Sequence, residues 1–354
     1  MKIESNILLD FNDILIKPKR SDLSSRSEVD LTRTFKFKHS NQTWTGVPIM
    51  TSNMTTTGTF EMYEVLSEQK IITVFHKFYN VENFKTFKDN LLEKGKTFDK
   101  NFYSLSTGIN NDEYQNLKEV IEFLDPMFLT IDVANGYSTK FVEFCKKVRQ
   151  EYPELVIIAG NVATSDMVQE LLISSKVDIV KCGIGSGSVC STRLKTGVGV
   201  PQLSVCLNCS ETANGLDGHI VSDGGCTVPG DIAKAFGAGS HFVMLGGMLA
   251  GHDESGGESV EKDGKKFKIF YGMSSEYAQN KFNGGMENYR SSEGKVRYLP
   301  DKGKVFLTML DILGGLRSTG TYIGAKRLKD FAKCTTFSQV NRQLNTVYDN
   351  QLYL

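Results

Sequence analysis

Val177-Asp178-Ile179-Val180-Lys181-Cys182, followed at once by Gly183-Ile184-Gly185-Ser186-Gly187-Ser188-Val189-Cys190-Ser191-Thr192-Arg193, is the stretch from which the fold and the chemistry are read. Its first six residues form a short, mostly apolar run and predict a buried strand. Glycines at 183, 185 and 187 let the backbone turn sharply and leave amides and carbonyls uncovered. Cys190 follows on that loop, with the hydroxyl of Thr192 and the guanidinium of Arg193 close behind. A nearby cation and free amides favour thiolate over thiol, so the loop suits a nucleophile. A glycine-rich turn with an incidental cysteine is the plainer reading, and such loops alone decide little.

Seven other apolar runs share this design, each ending in glycine or polar residues. Run 47–50 leads into Thr51-Ser52-Asn53-Met54, and run 71–75 into His76-Lys77. Run 102–105 precedes Ser106-Thr107-Gly108, and run 128–131 precedes Asp132-Val133-Ala134-Asn135-Gly136. Run 155–159 ends in Gly160-Asn161, run 218–221 in Ser222-Asp223-Gly224-Gly225, and run 240–245 in Gly246-Gly247. Helical patterns lie between them. Over 139–151, Phe141, Val142, Cys145 and Val148 share one face, and 166–174 and 229–236 read the same way. Alternating strands and helices imply parallel strands with right-handed crossovers. Eight units predict a (β/α)8 TIM barrel, an α/β fold whose active site is built at the carboxyl ends of its strands. A doubly wound open sheet is the alternative, but no Gly-x-Gly-x-x-Gly follows the first strand.

The glycine pairs after the seventh and eighth runs fall where such barrels bind phosphate through backbone amides. Asp223 beside them is placed to take ribose hydroxyls. A long excursion from 252 to 303 follows. It contains a hairpin, 259–262 with 265–270, about Asp263-Gly264. The rest shows no helical pattern and reads as a lid over a ligand. An apolar helix resumes over 306–316, and Arg317-Ser318-Thr319-Gly320-Thr321 reads as a polar turn. The whole chain, 1–354, is expected to be one barrel domain: an N-terminal extension, strands over about 47–247, the insertion at about 252–303, and C-terminal helices over 304–354.

Composition closes off several functions. Forty-one basic and 41 acidic residues leave no net charge to attract nucleic acid or an acidic membrane. No apolar stretch is long enough to span a bilayer, and the start lacks a signal-peptide run, so a cytoplasmic location is expected. Seven scattered cysteines do not form a disulfide framework. Cys206 and Cys209 lack partners at zinc spacing and read as small hydrophobes on a helix. No His-Glu-x-x-His is present.

Together these motifs resemble one family over nearly the whole chain, the guanosine 5′-monophosphate (GMP) reductases, siblings of the inosine monophosphate (IMP) dehydrogenases. The resemblance rests on Leu9-Asp10-Phe11-Asn12-Asp13-Ile14-Leu15, Ser25-Arg26-Ser27-Glu28-Val29, the cysteine loop, and the segments 219–225, 243–257 and 311–324. Phe270-Tyr271-Gly272-Met273-Ser274-Ser275-Glu276 and 289–294 point to the reductase branch. About two dozen residues separate the second and third runs, leaving no room for the regulatory domain usual in the dehydrogenases.

The resemblance implies reductive deamination of GMP to IMP and ammonia by NADPH. Cys190 would form a covalent thioimidate at purine C2, and Thr192 with Glu293 would pass a proton to the departing amine. Substrate would lie on Asp223, Gly224, Gly225, Gly246 and Gly247. Its base would be read by Gly272, Met273, Ser274, Arg290, Ser291, Ser292, Glu293 and Gly294. NADPH contacts carried over fall on Ser25, Arg26, Lys77, Asp132, Val133, Ala134, Ile184 and Gly185. Met273, Tyr289, Arg290, Ser318, Thr319, Gly320 and Thr321 complete that set, with Arg26 or Lys77 facing a 2′-phosphate. The family also implies a homotetramer and a potassium ion on the carbonyls of Gly185, Gly187, Cys190 and Arg193. The alternatives are an IMP dehydrogenase, whose flap Arg-Tyr pair Arg297-Tyr298 superficially echoes, and a non-catalytic purine-nucleotide-binding protein on the same fold.

Overall fold

A computed structural model describes residues 3–341 except Asn283 and Arg290. Arg290, the end of the tail and the expected helices there therefore lie outside the described residues. Each of the eight predicted runs is a strand. They are β4 (Ile49–Thr51), β5 (Thr73–Val74), β6 (Tyr103–Thr107), β7 (Phe128–Asp132), β8 (Val156–Val162), β9 (Ile179–Cys182), β10 (His219–Asp223) and β11 (Phe242–Leu245). Three short strands precede them: β1 (Ile14–Ile16), β2 (Arg33–Lys36) and β3 (Thr43–Gly46). The eight run parallel in the order β4-β11-β10-β9-β8-β7-β6-β5. A parallel bridge from Met50 to Ile72 joins β4 to β5 and closes the ring. The fold is a (β/α)8 barrel, and the open-sheet alternative falls.

Helices α1 (Phe60–Leu66), α2 (Val81–Glu93), α3 (Asn111–Leu124), α4 (Thr139–Glu151) and α5 (Ser165–Ile173) follow the first five barrel strands. After β9 come the single turn α6 (Thr192–Thr196) and α7 (Gln202–Gly215), and after β10 comes α8 (Pro229–Gly237). On α4, Phe141, Val142, Cys145 and Val148 are buried together, as their spacing requires. Cys206 and Cys209 are likewise buried on α7.

Side chains alternate along each strand. On β8, Val156 and Ile158 fill the barrel, while Ile157 and Ala159 face the helices. On β9, Ile179 points in, so Lys181 also points in, one layer nearer the carboxyl end. The antiparallel hairpin β2–β3 plugs the opposite mouth, its Phe35, Phe37 and Trp44 joining Phe128, Val156 and Phe242 in one core. Each such aromatic contributes about 2–3 kcal/mol by leaving water. Beneath it Asp178 accepts bonds from the His39, Ser40 and Ile157 amides and from Arg149 Nη2.

Two expectations about the last third are corrected. The insertion is not free of helix: α9 (Glu276–Phe282) lies between the second and third strands of a three-stranded sheet, β12 (Ser259–Lys262), β13 (Lys265–Tyr271) and β14 (Val296–Pro300). The segment 317–321 is no turn but part of α10 (Val305–Ile323). Its glycines are a packing device. A Cβ at Gly320 would meet Val29 Cγ1 at 2.8 Å, and one at Gly315 would meet Pro229 Cβ at 2.9 Å. Short α11 (Phe331–Cys334) and β15 (Phe337–Gln339) follow, β15 pairing antiparallel with β1.

Candidate active site

The loop after β9 does not stand alone. Ser191 N donates to Glu293 O at 2.7 Å, Lys295 N donates to Val189 O at 2.8 Å, and Cys190 bridges Gly294. Gly272 N in turn donates to Lys295 O at 3.1 Å. The insertion is thus stitched edge to edge onto the cysteine loop. A Cβ on Gly272 would lie 3.0 Å from Gly294 Cα and 3.1 Å from Val189 O, which is why these two segments approach only through glycine.

This stitching brings the three expected chemical residues together. The Cys190 thiol donates to Thr192 Oγ1 at 3.2 Å, and Thr192 Oγ1 donates to Glu293 Oε2 at 2.7 Å. All three are half-buried. Such a chain can carry a proton from a thiol through a hydroxyl to a carboxylate. Arg193 is not part of it. Its guanidinium is committed to Asp10 Oδ2 at 3.0 Å and Val200 O at 2.7 Å, so it anchors the loop to the N-terminal extension. Four of the other thiols are poorly suited to nucleophilic work: burial pushes Cys206 up to about 11 and raises Cys145, Cys182 and Cys226.

The inward layer at the strand ends supplies the charged floor. Lys181 Nζ donates to Asp132 Oδ1 at 3.2 Å, Asn161 Oδ1 at 2.8 Å and Asp223 Oδ2 at 2.5 Å. Burial would lower the lysine pKa, but Asp132 and Asp223 outweigh it and raise the value, so Lys181 is a permanent cation. Asn53 Nδ2 holds the other Asp132 oxygen at 2.8 Å. Beyond Asp223, Gly224 and Gly225 adopt φ of +92° and +83°, conformations that favour glycine. Gly225 N is already bonded to Ser186 O, so of that pair the amide of Gly225 is engaged within the protein. Ser188 Oγ would lie 2.5 Å from a Cβ on Gly247, so a hydroxyl lies against the second glycine pair.

Beside this floor lies a cavity of about 570 Å³, lined by Lys77, Asp132, Val133, Ala134, Met273 and Tyr289 among others. A second cavity, of about 400 Å³, shares Ala134, Ser274, Gln279 and Tyr289 with the first and reaches Ser291 and Glu293. The space therefore leads from the Asp132 wall to the proton path. Ser25, Arg26, Ile184, Gly185 and residues 318–321 line neither cavity. Ser25 caps a short turn, Arg26–Glu28, packed against α10 on the outside of the barrel. Lys77 also differs from expectation. Its ammonium is paired with Glu113 Oε1, so its charge is not free for a phosphate.

Sequence reasoning missed Lys181 and Glu113, and assigned no role to Asn53, Asn161 and Ser188 although it quoted them in the strand-end motifs. A lone lysine at an inward position of an apolar strand was the available signal for the first. Among the described residues no group of three or more His, Cys, Asp or Glu side chains is gathered for a metal, and no helix is long and apolar enough to cross a membrane.

Residues 8–345 match the IMP dehydrogenase / GMP reductase domain, a span that includes both the cysteine loop and Glu293. The chain belongs to the IMP dehydrogenase / GMP reductase family. Within it, the chain is 53% identical over 350 residues to GMP reductase 2 of Homo sapiens, covering 98% of each protein. It is 53% identical over 351 residues to GMP reductase of Citrobacter koseri, covering 99% of this chain and all of that protein. GMP reductase of Ascaris suum is 51% identical over 348 residues, covering 98% of this chain and 97% of that one. Membership in the IMP dehydrogenase / GMP reductase family agrees with the closed barrel and with the position of the cysteine loop at its carboxyl end.

Proposed function

We propose that the chain is a GMP reductase that converts GMP to IMP and ammonia at the expense of NADPH. The observation that carries the reading is the path Cys190 Sγ–Thr192 Oγ1–Glu293 Oε2, with steps of 3.2 and 2.7 Å. GMP sits with its phosphate toward Gly224, Gly246 and Gly247 and its ribose toward Asp223. Its base lies against Gly272, Met273, Ser274 and 291–294.

The thiol proton moves through Thr192 to Glu293 as Cys190 Sγ bonds to purine C2. The C2–N bond then breaks, and the same path returns that proton to the departing amine, which leaves as ammonia. A thioimidate remains on Cys190. NADPH, when bound, supplies hydride for C2, and Cys190 leaves as thiolate when the C2–S bond breaks. Solvent reprotonates the sulfur and IMP is released.

The 570 Å³ cavity suits the cofactor, since Lys77, Asp132, Val133, Ala134, Met273 and Tyr289 of the expected set all line it. Arg26, rather than the paired Lys77, is the better candidate for a 2′-phosphate. Ser25, Arg26 and 318–321 line neither cavity; in the proposed homotetramer they would meet a cofactor from a neighbouring copy. A potassium ion on the carbonyls of Gly185, Gly187, Cys190 and Arg193 and a cytoplasmic location complete the proposal. The dehydrogenase reading is weaker, because Arg297-Tyr298 belongs to β14, whose Tyr298 pairs with Ile269 in a sheet. The test is NADPH absorbance with GMP and a parallel ammonia assay. Equal amounts of NADPH consumed and ammonia released support the reading. NAD⁺ reduction with IMP and no reaction with GMP would replace it with the dehydrogenase.

A further inference from the structure

We propose that Lys181 is a positioning residue that couples occupancy of the nucleotide end of the site to occupancy of the adjoining cavity. It would do so through the single ammonium it shares between Asp223 and Asp132. This rests on reading Asp223 as a nucleotide contact and the cavity as the cofactor's place.

The period-two alternation of the strands points Lys181, Asp132 and Asp223 inward, with Asp132 level with Lys181 and Asp223 one inward step nearer the carboxyl end. An ammonium has three N–H donors, and here all three are used, on Asp132, Asn161 and Asp223. The Lys181 side chain is 5% exposed, whereas Asp132 and Asp223 are 30% and 23% exposed. The cation is sealed in, while each carboxylate is partly exposed to its own space, Asp132 with its second oxygen also accepting from Asn53. Asp132 lines the cavity, while Asp223 leads into the glycine pair. Asn161 ties the centre down: its Nδ2 donates to Asp223 Oδ2 at 2.8 Å and to Gly183 O at 2.7 Å, the first residue of the cysteine loop.

One cation thus serves two carboxylates that belong to different ligands. A ribose hydroxyl donating to Asp223 takes up part of its negative charge and weakens its hold on Lys181. The ammonium then bears more strongly on Asp132, which changes how that carboxylate meets a ligand in the cavity. Linkage requires the reverse effect to be equal in size.

The experiment uses NADPH fluorescence titrations of the full chain with and without saturating IMP. IMP already carries hydrogen at C2, so this pair does not turn over. In the wild type, IMP should change NADPH affinity about ten-fold, with the same factor for IMP when NADPH is saturating. Lys181→Met should bring the factor below about two-fold while each ligand alone still binds, and Lys181→Arg should restore part of it. A Lys181→Met protein that keeps the wild-type factor, or a wild type without coupling, overturns the inference but not the proposed function. Failure of the wild type to bind either ligand overturns both. If Lys181→Met does not fold, Asn161→Ala leaves every charge in place and decides the matter. A factor at least about three-fold smaller supports the inference, and an unchanged one overturns it.

Discussion

Thr192 Oγ1 lies 2.7 Å from Glu293 Oε2, although 101 positions separate them in the chain. The contact exists because the insertion after β11 is laid edge-on against the cysteine loop, with Ser191 N bonded to Glu293 O. Thr192→Val and Glu293→Gln each interrupt proton movement and leave the backbone stitching intact. Both should slow ammonia release by about 10²–10⁴-fold with little change in nucleotide affinity. Rapid-quench ammonia assays beside equilibrium binding check this. A large loss of affinity with unchanged turnover would make Glu293 a binding residue instead.

Cys190→Ser removes the sulfur that the path serves. The variant should still bind GMP, because the glycine pairs and Asp223 are untouched. Turnover should fall at least about a thousand-fold, as expected when a covalent nucleophile is lost. Near-normal rates in that variant would rule out a covalent route through this cysteine.

Much of this was legible in the sequence, for identifiable reasons. Strands such as 128–131 and 177–182 announced themselves because barrel strands are buried on both faces and read as short apolar runs ending in glycine or charge. The β2–β3 plug was missed. Arg33, Thr34, Thr43 and Thr45 look like loop residues, and only packing of Phe35 and Trp44 in the barrel mouth makes the hairpin a strand pair. The run-on of α10 through 317–321 was missed because Gly314, Gly315 and Gly320 resemble a helix stop. Two of them instead let α8 and Val29 approach closely. Lys181 was hidden inside a strand read only for its apolar neighbours.

Acid should unfold the protein through buried imidazoles. Burial pulls His76 down to about 4 and lowers His219 and His241 below the usual value of 6.5. These rings stay neutral in the fold while the unfolded chain binds protons below 6.5. Their contribution is therefore complete above 6.5 and is lost as pH falls below it, for His76 over the range down to about 4. Each contributes a slope of up to about 1.4 kcal/mol per pH unit. Melting temperature against pH should drop across that window, and His76→Gln should make the fall shallower. An identical slope in the variant would remove His76 from the account.

At the other mouth, Arg149 Nη2 meets Asp178 Oδ2 at 2.6 Å with both side chains buried. Arg149→Met leaves Asp178 charged and unpaired and should cost about 3–5 kcal/mol in denaturant unfolding. Adding Asp178→Asn should recover part of that loss. A single variant as stable as the parent would show that the Asp178 amide bonds suffice without the guanidinium.

In the proposed reaction purine C2 becomes bonded to Cys190 when ammonia leaves. This is tested most directly by mixing excess protein with GMP and NADP⁺, which cannot donate hydride, then quenching in acid and mapping the adduct by mass spectrometry. A purine-nucleotide adduct on the Cys190 peptide is expected, with ammonia released in equal amount and neither in Cys190→Ser. Ammonia release with Cys190 unmodified throughout would contradict it.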